Sequence, residues 1–176
     1  QGTDGAIAQI VAEELDLPAD RVAIVMGDTG QTVNQGGASG STGILLGGGA
    51  LRIAAAEARR ALLALAAQRL NAPLEKLTIA NGIVSVSDAP GKKVSYGQLV
   101  GGKVMNVTLK WNGKIGNPLA FESDAPLKKP ADYKVVGTAP KRRDVRPKVF
   151  AQPATYVTDI RRPGMLHARV IRPPVA

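Results

Sequence analysis

The sequence predicts an α+β fold, with helices laid on a small antiparallel sheet in two layers and the beginning of a further domain toward its C-terminus. Three observations predict it. Two segments repeat their apolar residues at helical spacing: Ile7, Ile10, Val11 and Leu15 in the first, and Leu51, Ala55, Ala58, Leu62 and Leu65 in the second. The dipeptide Asn81-Gly82 separates two short apolar runs, the strongest local signal for a hairpin. Finally, 176 residues suffice to bury about 70% of the unfolded surface, so the absence of cysteine leaves stability to packing.

Each element follows from its residues. Thr3 or Asp4 is expected to cap the first helix, which Asp16-Leu17-Pro18 ends. Arg21 to Met26 is apolar on both faces and predicts a short strand covered by helices. From Thr29 to Gly49 runs a loop of Gly, Ser, Thr, Gln and Asn, long for a connection and therefore a candidate functional segment. It leads into a long helix over Gly49 to Leu70 whose alanine-rich stripe permits close packing, and which Asn71-Ala72-Pro73 terminates. The hairpin pairs Leu77 to Ala80 with Ile83 to Val86, and Ser95 with Gln98 predicts a capping box on a single helical turn. An extended piece, Val104 to Trp111, ends at Asn112-Gly113. Prolines 118, 126, 130, 140 and 147 then space out a segment without periodicity, which reads as an extended linker. Ala154 to Ile160 and Met165 to Ile171 read as two strands joined by a Pro-Gly turn, with no closing partner. The expected organisation is a domain over 1–115, a proline-rich linker over 116–153, and the start of a second, truncated domain over 154–176.

The formal charge of +9 is unevenly spread. Residues 1–50 hold six acidic and one basic side chain, whereas residues 126–176 hold twelve basic and three acidic. The basic C-terminal third has few aromatic residues to stack bases and no recognisable nucleic-acid module, so a solvated or subunit-facing surface is expected and nucleic acid is not. Charges at Arg52, Glu57, Arg59, Arg60 and Arg69 interrupt the longest apolar stretch and rule out a membrane span there. A soluble protein is expected, with cytoplasm and periplasm both open.

Few residues point to chemistry. Without cysteine there is no iron-sulfur or thiolate ligation, so redox work requires a borrowed cofactor. No metal ligand set and no catalytic residue emerges: His167 lacks an Asp, Ser or second His nearby and reads as structural. Glu13, Glu14 and Asp16 read as solvated charges, and Asp28 as the acceptor of backbone N–H groups in its own turn. The better candidate is Gly36-Gly37-Ala38-Ser39-Gly40-Ser41-Thr42-Gly43, whose small residues lead toward a helix N-terminus, the makings of an anion site. It ends in no Gly-Lys-Ser/Thr and is no Walker A loop; a flexible connection is the competing reading.

A set of segments in order resembles a known family. Gln1-Gly2-Thr3, Ala8-Gln9-Ile10-Val11-Ala12-Glu13-Glu14-Leu15, Leu17-Pro18-Ala19-Asp20-Arg21-Val22 and Gly27-Asp28-Thr29 are similar to the Gly-Gln-Gly region of the molybdenum-binding large subunit of the xanthine dehydrogenase and aldehyde oxidase family. Gly40-Ser41-Thr42 and Gly48-Gly49-Ala50-Leu51-Arg52 resemble that family's serine-bearing loop and following helix. Pro130-Ala131-Asp132-Tyr133, Tyr156-Val157-Thr158-Asp159-Ile160 and Pro163-Gly164-Met165-Leu166-His167-Ala168-Arg169-Val170 resemble the approach to its α/β hammerhead domain. The order is similar to that in the isoquinoline 1-oxidoreductase and nicotinate dehydrogenase type of large subunit.

The resemblance implies a fragment of a molybdenum hydroxylase that oxidises an aldehyde or N-heterocycle with water as oxygen donor, inactive alone because the family's catalytic glutamate has no counterpart here. It implies a molybdenum pyranopterin cofactor, in its cytosine dinucleotide form, in the parent protein and none on the fragment. It also implies as partners an iron-sulfur small subunit and the remainder of the large subunit. By the same resemblance Gln1 and Gly2 face the pyranopterin, and Ser41 and Thr42 hold phosphate. A structural copy without cofactor contact is the other reading of this segment. From a different class, a non-catalytic assembly domain with a basic partner-binding C-terminal tract is the alternative function.

Overall fold

A computed structural model describes residues 2–142, 144–152 and 156–174. The chain divides into two compact units, Gln1–Lys141 and Arg142–Ala176.

In the first unit, helix α1 (Thr3–Leu15) packs against helix α2 (Gly49–Leu70), and α2 packs on a three-stranded antiparallel sheet of order β1-β2-β3. This is the expected α+β arrangement of helices on a small sheet. Strands β1 (Leu77–Ala80) and β2 (Ile83–Val86) meet at Asn81-Gly82, both at positive φ, 51° and 74°. Only glycine suits the second position, because a Cβ there would lie 2.6 Å from the Leu17 side chain. Strand β3 (Ala89–Ser95) adds antiparallel to β2, with an irregularity at Ser85 and Val86. It runs into the short helix α3 (Tyr96–Val100), whose Ser95–Gln98 capping box forms as the spacing predicts. The sheet core is small: Val84 and Val94 close over Ala66 of α2, with Leu63, Leu70, Leu77, Ile79, Tyr96 and Leu99 around them.

Several expectations change. The strand over Arg21 to Met26 does not form; a 3₁₀ turn at Ala19–Arg21 is followed by extended chain that no described strand pairs with and in which Val25 and Met26 are exposed. Thr3 and Asp4 lie inside the first turn of α1, behind a left-handed Gly2, and neither caps it. Of the extended piece before Asn112, only Lys110–Trp111 (β4) pairs, with Phe121–Glu122 (β5). The stripe on α2 is also displaced, since Ala55, Arg59, Leu62 and Ala66 are buried whereas Leu65 is exposed.

The largest departure concerns charge. Glu13 and Glu14, expected in solvent, are only 2% and 1% exposed. Glu14 accepts from Arg52 Nε at 2.8 Å and Arg59 Nη1 at 3.0 Å, both on α2, and from the backbone N–H of Lys128. Arg59 also donates to the carbonyls of Glu14 and Pro126, Arg52 donates to the carbonyl of Lys128, and the Arg52 guanidinium stacks on Tyr133. Glu13 accepts three consecutive backbone N–H groups, from Lys134, Val135 and Val136, at 2.6 to 2.9 Å. Lys128 reaches Asp16 at 2.6 Å. Residues 125–138, expected within a linker, are thus tied to α1 and α2 by buried charge, and the first unit extends to Lys141. The periodic spacing of apolar residues carries no trace of this, because the partners are mostly backbone groups more than a hundred positions away.

The second unit is sparse. Its helix α4 (Val145–Val149) follows Asp144, whose carboxyl is held well below its usual range by Arg142 and then Lys148. In place of the strand expected over 154–160 there is a 3₁₀ turn at Val157–Asp159, residues 154 and 155 lying outside the described ones. No paired strand forms over Met165 to Ile171, where Leu166, Val170 and Ile171 are exposed and His167 is a surface residue. Among the described residues, no helix is long and apolar enough to cross a membrane.

Two outcomes follow from the buried charges. Arg59→Met should cost about 3–5 kcal/mol in urea unfolding, because it leaves Glu14 buried beside one fewer cation. Adding Glu14→Gln should recover part of that loss, since the pair couples. Burial pushes the Glu13 carboxyl up, but the three backbone N–H groups and Lys128 together outweigh it and hold the group below its ordinary value. The stability it contributes is therefore complete above that ordinary value and lost as pH falls through the depressed one. Glu13→Gln should flatten the decline of the unfolding midpoint in acid, whereas an unchanged slope would contradict the assignment.

Candidate functional site

The long loop packs beside the N-terminus of α1 and opens a cleft of about 190 Å³ lined by Thr3, Ile7, Met26, Gln35, Gly36, Gly37, Ala38, Thr42, Gly43, Leu46, Gly47 and Asn117. Its floor is built by an unusual helix start. After a 3₁₀ turn at Ser39–Ser41, residues Gly43–Gly48 form a π-helical turn that runs directly into α2. Such turns widen the backbone and recur at functional sites. Close approach is possible because Gly48 is buried against α1, where a Cβ would stand 3.1 Å from Ile10 Cδ1.

Within the loop, Asp28 accepts from the backbone N–H of Gly30 at 2.9 Å, the turn role its sequence predicts. The Thr42 hydroxyl is 3.3 Å from the Gly37 carbonyl and 3.2 Å from that of Ser39, folding the loop on itself. Ser41 stands at φ 61°, in the left-handed region that disfavours a side chain, and it is exposed. Among the described residues, the side-chain polar groups of Thr3, Gln35 and Ser41 have no partner.

Of the predicted site residues, the structure brings two regions together. Gly2 adjoins Thr3, whose methyl group approaches the position of a Cβ on Gly43 to 3.9 Å, and Thr42 lines the same cleft. Ser41 precedes Thr42 in the chain but is exposed and does not itself line the cleft, and Gln1 lies outside the described residues. Thr3, Gln35 and Asn117 were not singled out by the sequence: Thr3 resembled a cap, Gln35 was one polar residue of a polar loop, and Asn117 fell in the expected linker. The only hint was Gly116-Asn117-Pro118, a turn tripeptide following shortly after Asn112-Gly113.

The donor set is neutral. No lysine or arginine lines the cleft; Thr3 and Thr42 bring hydroxyls to it, Gln35 and Asn117 bring amides, and Thr3 stands at the start of α1, a combination able to hold phosphate oxygens or the edge of a heterocycle. Next to it, and sharing Gln35, Leu46, Gly47 and Asn117, lies an apolar cleft of about 180 Å³ walled by Val33, Ala50, Leu51, Ala54, Leu119 and Phe121. Among the described residues, no group of three His, Asp or Glu side chains is placed to hold a metal ion.

A family model described as the molybdopterin cofactor-binding domain matches residues 1–152. The chain belongs to that family. The match agrees with the resemblance to the xanthine dehydrogenase family that the ordered motifs carry. One of the subunits of nicotinate dehydrogenase from Pseudomonas putida is 44% identical over 175 residues, which cover 99% of this chain and 14% of that protein. The beta subunit of isoquinoline 1-oxidoreductase from Brevundimonas diminuta is 28% identical over an alignment covering 100% of this chain and 26% of that protein. The chain thus spans about a quarter or less of these relatives. A crystal structure of the Cu,Mo-CO dehydrogenase in its carbon monoxide reduced state shares the fold, with a TM-score of 0.50 and 24% identity over 70% of this chain and 15% of that one.

The strain at Ser41 separates folding from binding. Ser41→Gly removes a side chain from a left-handed backbone, so thermal unfolding should occur at an unchanged or higher temperature. Ser41→Ala keeps the backbone strain and should not raise it.

Proposed function

We propose that this domain uses the cleft between α1 and the π-helical turn to hold the phosphate-bearing end of a molybdenum pyranopterin, as part of a molybdenum hydroxylase large subunit. The observation that carries the reading is convergence. Residues near position 3 and near position 42, distant in sequence, line one cleft whose neutral donors have the chemistry that an oxygen-rich anion needs. Ser41 and Thr42 would hold the phosphates with the N–H groups of the π-helical turn, while Gly2, and Gln1 before it, would face the pterin. The dinucleotide, cytosine-bearing form belongs to the same reading.

When bound, the cofactor supplies a two-electron oxidation in which water is the oxygen donor and an aldehyde or N-heterocycle the substrate. This chain's residues would bind and orient the group and exclude water from its phosphates; the family's catalytic glutamate has no counterpart among them. Electrons would leave through an iron-sulfur small subunit, since the chain has no cysteine. A hammerhead domain would begin over 154–176, and the remainder of the large subunit would cover Leu166 and Ile171, apolar residues 93% and 92% exposed close to Arg169 and Arg172. Residues 1–176 alone would hold no molybdenum and be inactive.

The test is cofactor content. In the full-length large subunit, Ser41→Ala combined with Thr42→Val should lower molybdenum and pterin per chain about tenfold or more, as expected for the loss of two hydrogen bonds to a charged group. A full complement of cofactor in the double variant would reject the cradle and favour a structural copy of the domain.

A further inference from the structure

We propose that Asn117 is a positioning residue, clamping the glycine-rich loop so that its hydroxyls and N–H groups face the cleft, and that Gly36 is glycine to admit the clamp. The proposal rests on the cofactor-cradle reading for its purpose but on separate geometry for its existence.

The hairpin of β4 and β5 carries the clamp. Asn112 fixes the connecting loop, donating to the Pro118 carbonyl at 2.6 Å and accepting from the N–H groups of Lys114 and Ala120 at 3.2 and 3.3 Å. Phe121 of β5 lies with Leu51 and Ala54 of α2 against the apolar cleft, so the loop is anchored to the long helix. At its tip, Gly116 donates to the Asn34 carbonyl at 3.2 Å. The Asn117 amide nitrogen, in the orientation that satisfies both ends of the group, faces the carbonyls of Gln35 at 3.2 Å and Gly37 at 3.1 Å. One side chain thereby spans three residues of the loop. Gly36 sits between those carbonyls at φ 81°, with its own N–H donating to Asn34 Oδ1. A Cβ on Gly36 would fall 2.6 Å from the Asn117 backbone nitrogen, which cannot move without the hairpin.

Asn117→Asp keeps the shape but turns two donors into acceptors facing carbonyls. In the cofactor-free full-length large subunit, amide exchange over residues 35–43 should rise about tenfold while α1 and β1–β3 keep their protection. Gly36→Ala should produce the same loosening, and the double variant should add little, because both act on one contact. In the cofactor-loaded protein, Asn117→Asp should lower retained molybdenum while the melting temperature changes little; Asn117→Ala, which brings no charge, should do the same. Unchanged exchange over 35–43 would overturn the clamp. Faster exchange with full cofactor retention would overturn its positioning role. If the Ser41 and Thr42 variants kept all their cofactor while Asn117→Asp still loosened the loop, the cradle reading would fail and the clamp would stand.

Discussion

The first unit depends on the burial of Glu14 between two arginines of α2. A carboxylate almost wholly removed from water is tolerable only when charge and hydrogen bonds replace its hydration. Arg52, Arg59 and the Lys128 N–H do so here. Because each arginine also donates to a carbonyl in the 126–128 segment, one ion cluster joins α1, α2 and a stretch of chain with no secondary structure to hold it. Glu13 extends the same device by gathering three successive N–H groups of residues 134–136. Ile7, Ala8 and Ala12 of α1 and Ala55 and Ala56 of α2 are buried as well, so small apolar side chains and these polar contacts together set the relative placement of the two helices.

That placement matters because the cleft exists only where the N-terminus of α1 meets the π-helical turn that begins α2. Gly48 brings the helices together, the loop from Gly36 to Thr42 closes the top, and the β4–β5 hairpin braces the loop from the other side. Rigid elements thus surround a segment that contains a strained serine and several unpaired donors. Backbone strain of this kind persists where surrounding structure holds it, and it is concentrated where a ligand later benefits.

Much of this was legible in the amino-acid sequence, for reasons that differ by element. Helix α2, the Asn81-Gly82 turn and the Ser95–Gln98 cap depend on local chemistry, and local chemistry is written in adjacent residues. The glycine- and serine-rich loop stood out because its length and composition had no structural need. What failed was non-local. Glu13 and Glu14 looked like surface charges since nothing near them signals partners at 128 and 134–136; for the same reason residues 116–141 looked like a linker. Arg21 to Met26 has strand-like residues but no neighbouring strand to pair with, and pairing rather than propensity makes a strand. Gln35 and Asn117 became visible only when the hairpin and the loop were seen side by side.

The central claim is that this cleft, built by two helix starts and held by buried charge, is where the domain meets the cofactor. A structure of the full-length large subunit with its molybdenum cofactor tests it most directly. The account predicts phosphate oxygens within about 3.2 Å of the Ser41 or Thr42 hydroxyl and of N–H groups in the Gly43–Gly48 turn. A cofactor seated elsewhere, with these groups turned to solvent or to another part of the protein, would contradict it.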